Sequence, residues 1–139
     1  MLKLNLGVND IPYVDEGEGK TTGEVAEILE GKYHIMETFS EMHEEGIADA
    51  LADSMAGALE NIMAGAPADV NPFGEGESKI EATFKTFLDM RELDGAIDGV
   101  PTRAAMRGVN HRLKIKKGEP RPSFIDTGLY QSSFKAWVE

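Results

Sequence analysis

The sequence predicts an α+β fold that is predominantly helical, with short strands near both ends and an extended C-terminal arm. Three observations predict it: a period-two alternation at the N-terminus, a series of segments with apolar residues at helical spacing, and an apolar C-terminal segment behind a proline-restricted stretch. The expected organisation is one mainly helical domain over residues 1–118, with the N-terminal strand, and an assembly arm over residues 119–139.

Leu2, Leu4, Leu6 and Val8 alternate with Lys3, Asn5 and Gly7, the pattern of a half-buried strand, and Ile11-Pro12 ends it. Residues 15–20 form a polar, glycine-bearing loop. Thr21 and Glu24 match a capping box, so a helix follows, with Val25, Ile28, Leu29, Ile35, Met36, Phe39 and Met42 on its apolar stripe. Gly31 weakens its centre and Gly46 is expected to end or bend it. A second helix is expected over 47–63, with Ile47, Leu51, Met55, Leu59 and Ile62 as its apolar face and Ala64-Gly65-Ala66-Pro67 as its stop. After a loop to Gly76, Ser78 is expected to cap a third helix over 79–93, whose Ile80, Phe84, Phe87, Leu88 and Met90 supply core. A short fourth helix is expected behind Gly99-Val100-Pro101, with Pro101 in its first turn and Gly108 near its end. Pro120-Arg121-Pro122 excludes helix, and the chain then turns apolar at Phe124, Ile125, Leu129, Tyr130, Phe134, Trp137 and Val138. Terminal strands of this kind must pair with something, and both are expected to add to a neighbour's sheet.

Composition narrows the function. There is no cysteine among the 139 residues, which excludes disulfides and thiol chemistry. No run of 18 apolar residues occurs, so no membrane span is expected, and the alternating N-terminus does not read as a signal peptide. The net charge of −11 is unevenly placed. Residues 1–100 hold 22 acids against 6 bases, a net of −16, whereas residues 101–139 hold 3 acids against 8 bases, a net of +5. A dipolar chain suits head-to-tail self-association, or an acidic domain that folds its own basic tail onto itself. Arg103, Arg107, Arg112, Lys114, Lys116, Lys117 and Arg121 make the basic stretch. No aromatic residue lies between Val100 and Ser123, so a base-stacking platform is not indicated and a protein partner is favoured over nucleic acid.

Asp126-Thr127-Gly128 matches the aspartic-protease tripeptide, in which two aspartates share a proton. Only 13 residues follow Asp126 and mainly helix precedes it, whereas that fold is nearly all strand. A turn is expected instead, with Asp126 or Thr127 capping and Gly128 relieving crowding. His34 shares a helix face with Glu30, Glu37 and Glu41, but a di-iron bundle needs Glu-x-x-His on two helices. A solvated acidic face is expected there, with no metal and no cofactor. Gly19-Lys20-Thr21 ends like a phosphate-binding loop, yet Val14 stands where the first glycine belongs, and Asp15, Glu16 and Glu18 repel phosphate.

The segment Pro122-Ser123-Phe124-Ile125-Asp126-Thr127-Gly128-Leu129-Tyr130-Gln131-Ser132-Ser133-Phe134 resembles a signature of tailed-bacteriophage structural proteins, the neck, tail-completion and minor tail families. In that pattern Tyr130 takes the apolar position, Gln131 and Ser132 the polar pair, Ser133 the serine and Phe134 the next apolar position. The resemblance implies an α+β subunit with long helices that assembles into a homo-oligomeric ring in the virion and is made in the host cytoplasm. Its implied partners are other virion proteins of the neck, the tail tube or terminator, and the baseplate, with DNA passing through a lumen. A tail-tip or baseplate component, and a small metal-binding helical enzyme, are the alternatives. The residues expected at interfaces are Leu2, Leu4 and Leu6 at the N-terminus, Arg103, Arg107, Arg112 and Lys116 in the basic stretch, and Phe124, Ile125, Asp126, Thr127, Gly128, Tyr130, Phe134 and Trp137 in the arm.

Overall fold

The computed structural model describes residues 2–12, 21–108, 118–125 and 128–139. Asp126, Thr127, Arg112, Lys114, Lys116 and Lys117 lie outside the described residues, as does the expected loop at 15–20. Among the described residues the chain is 55% helical, with six helices and one two-stranded antiparallel sheet, which is the predominantly helical α+β fold.

The alternating N-terminus forms β1 (Leu4–Val8). The helices in chain order are α1 (Thr22–Tyr33), α2 (Ile35–Met42), α3 (Glu44–Met63), α4 (Gly74–Asp89), α5 (Arg103–Arg107) and α6 (Leu129–Ser133), and the last strand is β2 (Phe134–Val138). β1 pairs with β2 antiparallel, with Leu4 opposite Val138, Leu6 opposite Ala136 and Val8 opposite Phe134. The terminal strands, expected at a neighbour's sheet, are therefore partners of each other. The ladder runs to the ends, since Lys3 and Glu139 exchange backbone hydrogen bonds of 3.1 and 2.9 Å.

The capping box forms as the sequence implies: the Thr21 hydroxyl accepts from the Glu24 N–H and the Glu24 carboxylate accepts from the Thr21 N–H, both at 3.3 Å. The helix it starts does not break at Gly31 or Gly46. It breaks at His34, which is left-handed at φ 53°, and again at His43. The first break is held open by Glu30, whose carboxylate accepts the N–H groups of Met36 at 2.8 Å and Glu37 at 3.1 Å. These are orphan donors of the first turn of α2, so a side chain of α1 serves as the cap that His34 lacks. Gly46 lies within α3, where a glycine costs about 1 kcal/mol and is tolerated.

α4 begins earlier than Ser78 because its cap is tertiary. The Ser54 hydroxyl of α3 donates to the Pro72 carbonyl at 2.7 Å and accepts the Gly76 N–H at 3.2 Å. Gly76 allows this approach, since a Cβ there would stand 2.8 Å from the Ala50 carbonyl oxygen. α4 ends at Asp89 rather than Leu93, and Met90, expected in the core, is exposed. Pro101 does not open a helix. It follows a cis Val100–Pro101 peptide, and Thr102 is the N-cap of α5, its hydroxyl accepting from Ala105 at 3.1 Å. Gly108 closes α5 in the left-handed region, against the backbone of Gly118.

The core lies between α2, α4 and the inner face of the sheet. Phe39, Phe84, Phe87 and Phe134 are fully buried there with Ile35 and Ile80. The Phe84 and Phe134 rings stack at 3.9 Å, and Phe39 meets Phe84 edge-on at 5.2 Å. Each buried ring contributes roughly 1.5–3 kcal/mol by transfer, with about 0.5–1.5 kcal/mol more per favourable ring pair.

Candidate assembly surface

The segment carrying the resemblance to phage structural proteins acts as a fastener. Gly128 takes φ 80° and caps α6, a conformation in which a side chain would be strained. Two residues later Tyr130 is buried against Phe84, and the Ser133 hydroxyl donates to the Tyr130 carbonyl at 2.9 Å. Gln131 reaches α4, where its amide donates to the Lys85 carbonyl at 2.7 Å and to the Asp89 carboxylate at 2.9 Å. Phe134 then enters the aromatic core. Tyr130 and Phe134, expected on a neighbour's surface, are thus buried inside their own chain, because α6 turns the chain so that alternate residues of β2 face α4. Phe124 and Ile125 are half-buried against the same core, Phe124 lying 4.9 Å from the Tyr33 ring. Leu4 and Leu6 are half-buried against it as well.

Of the expected interface residues, the exposed ones among those described are Leu2, Trp137, Arg103 and Arg107. Trp137 is on the outer face of the sheet, 41% exposed, with its indole across Gly7, where a Cβ would meet ring carbons at 3.1 Å. Beside it an open groove of about 570 Å³ is lined by Asn9, Glu77, Glu81, Lys135 and Trp137. Its carboxylates are engaged within the fold. Glu77 accepts the Val138 N–H at 2.8 Å and the Asn71 amide at 2.8 Å, and Glu81 pairs with Lys135 at 3.4 Å.

A larger exposed surface continues the apolar face of α3. α3 meets the start of α4 at Ser54, so its last turns, residues 55–63, extend about 14 Å beyond the packed region. Leu59, Ile62 and Met63 are there 53%, 45% and 86% exposed. The apolar stripe expected to run through Leu59 and Ile62 is present, but α4 does not cover its end. Asp49, Asp53 and Glu60 are exposed along the helix beside that stripe.

The convergence of titratable groups around His34 is real but already occupied. Glu30, His34 and Glu37 bring ligand-type atoms within 4.8 Å of one another, and Glu41 is not among them. Both Glu30 oxygens hold the start of α2, and His34 Nδ1 lies 3.0 Å from Glu37. The group clasps a helix junction. His43 sits 3.1 Å from Glu92 with its ring against Phe39 and Phe87. Sequence spacing does not reveal this pairing, because 49 residues separate the partners.

Comparison with protein-family models, with curated proteins and with solved structures finds no match to this chain.

Proposed function

We propose that this chain is a non-enzymatic structural component of a tailed-phage virion, assembling in the head–tail neck or the tail through protein–protein contacts. The observation that carries the reading is the work done by residues 128–134. Five described positions of the motif that resembles the phage signature lock the terminal strand onto the body: the left-handed Gly128, the buried Tyr130, the α4-bound Gln131, the bonded Ser133 and the stacked Phe134. The separation of acidic and basic halves and the uncovered end of α3 support a role spent in contact with other subunits.

The test is the location of the protein. In density-gradient fractions from cells producing the phage that encodes it, the protein should sediment with particles at a fixed copy number by quantitative mass spectrometry. Interrupting its gene should leave heads and tails that fail to join or tails that fail to complete. Normal infectious particles from the interrupted strain, with no protein in particles from the intact one, would sink the proposal.

A further inference from the structure

We infer that the projecting end of α3 is a docking face for a second copy of this chain, and that the surface it takes is α5 of that copy. The α3 end is apolar on one side and acidic on the next. Met55, Leu59, Ile62 and Met63 share a face at helical spacing, with the exposed Glu60 beside it and the exposed Asp53 and Asp49 farther back along the same helix. The surrounding segment is acidic without compensation: residues 33–78 carry 10 Asp and Glu and no Lys or Arg.

The complement is found in the same chain. Residues 99–118 carry 6 Lys and Arg and no Asp or Glu. Within them α5 presents Arg103 and Arg107 one turn apart, with Met106 between them 51% exposed. It is a small basic surface with an apolar edge, rigidly mounted. Thr102 and Gly108 cap the helix, the buried Ala105 faces inward, and the Arg121 N–H donates to the Ala105 carbonyl at 3.0 Å. Both surfaces are exposed in the folded chain, so neither satisfies the other within one molecule.

Charge selects the pairing. Two α3 ends meeting face to face would set acids against acids, and two α5 surfaces would set bases against bases. The favourable contact joins the α3 end of one copy to α5 of the next, with Leu59, Ile62 and Met63 around Met106 and the arginines along the acidic edge. Such a contact is heterologous, and repetition of it generates a ring or a filament rather than a closed dimer. It locates the self-association of the structural role proposed above and rests on that role for its biological setting.

The experiment uses the full chain and two double variants, Leu59→Glu/Ile62→Glu and Arg103→Glu/Arg107→Glu, all four positions being exposed. Circular dichroism should show unchanged helix content. In sedimentation velocity at protein concentrations up to about 100 μM, the wild type should form species well above the 15.1 kDa chain and lose them as salt is raised. Each variant alone should sediment as a single chain. An equimolar mixture should form a species of two chains and nothing larger, because one variant keeps an intact α5 and the other an intact α3 end. A monomeric wild type, an Arg103→Glu/Arg107→Glu variant that associates like wild type, or a mixture that stays monomeric each overturns the inference. Particle incorporation of the same variants separates the two proposals. Variants that enter particles unchanged remove this contact and leave the structural role standing, whereas absence of the wild type from particles removes the role itself.

Discussion

Phe134→Ala probes the joint between the C-terminal strand and the body. The Phe134 ring is 2% exposed, stacks on Phe84 at 3.9 Å and meets Phe39 edge-on at 6.1 Å. Truncation of a buried phenylalanine costs about 3–5 kcal/mol, from lost transfer energy and the cavity left behind. The upper half of that range applies, since the neighbours across the cavity are stiff rings that collapse poorly into it. Against a total stability of about 5–15 kcal/mol, a loss of about 4 kcal/mol is severe. With a urea dependence of about 2 kcal/mol per molar, the unfolding midpoint should fall by about 2 M. Trp137→Ala is the internal control. It lies on the same strand but on the outer face, 41% exposed, and should cost about 1 kcal/mol. The pair reads the register of the sheet, because a slip of one residue would exchange the two faces. The reasoning fails if Phe134→Ala moves the midpoint by less than about 0.5 M in urea. It also fails if Trp137→Ala proves the costlier change.

Two further substitutions test the helix junctions. Gly76→Ala would place its Cβ 2.8 Å from the Ala50 carbonyl oxygen and 3.2 Å from Ser54, so α3 and α4 must separate. A loss of about 2–3 kcal/mol in thermal or urea unfolding is expected, and a neutral result would contradict the close approach. Glu30→Ala removes the acceptor of both the Met36 and Glu37 N–H groups and should cost about 1–2 kcal/mol, with hydrogen exchange accelerating at those amides. In the wild type, a large rise in melting temperature on adding stoichiometric zinc would overturn the clasp in favour of a metal site.

What was legible in the sequence was whatever a few adjacent residues decide. The alternation of Leu4, Leu6 and Val8 gives β1, Thr21 with Glu24 gives the capping box, and Phe84, Phe87 and Leu88 give the buried face of α4. The missed features depend on partners remote in sequence. A break at His34 rather than Gly31 follows from Glu30 reaching across to α2, and the early start of α4 follows from Ser54 on α3. Periodicity gave the right face for Leu59 and Ile62 but not its depth, because burial depends on where α4 begins. The inward aim of Tyr130 and Phe134 escaped the reading for a related reason. An apolar terminal segment has the same pattern whether it docks on its own body or on a neighbour's.

The antiparallel pairing of β1 with β2 also sets an order of events in folding. More than a hundred residues separate the two strands, so closing the loop between them costs about 4 kcal/mol of chain entropy before any contact repays it. The helices between can form and collide early, since their contacts are nearer in sequence. Until β2 arrives, the side of Phe84 that Phe134 will cover faces water, together with part of Phe39. The nascent chain therefore leaves this aromatic surface uncovered from the formation of α4 until β2 docks, and a delay in synthesising or docking β2 lengthens the time in which that surface is open to aggregation or chaperone capture.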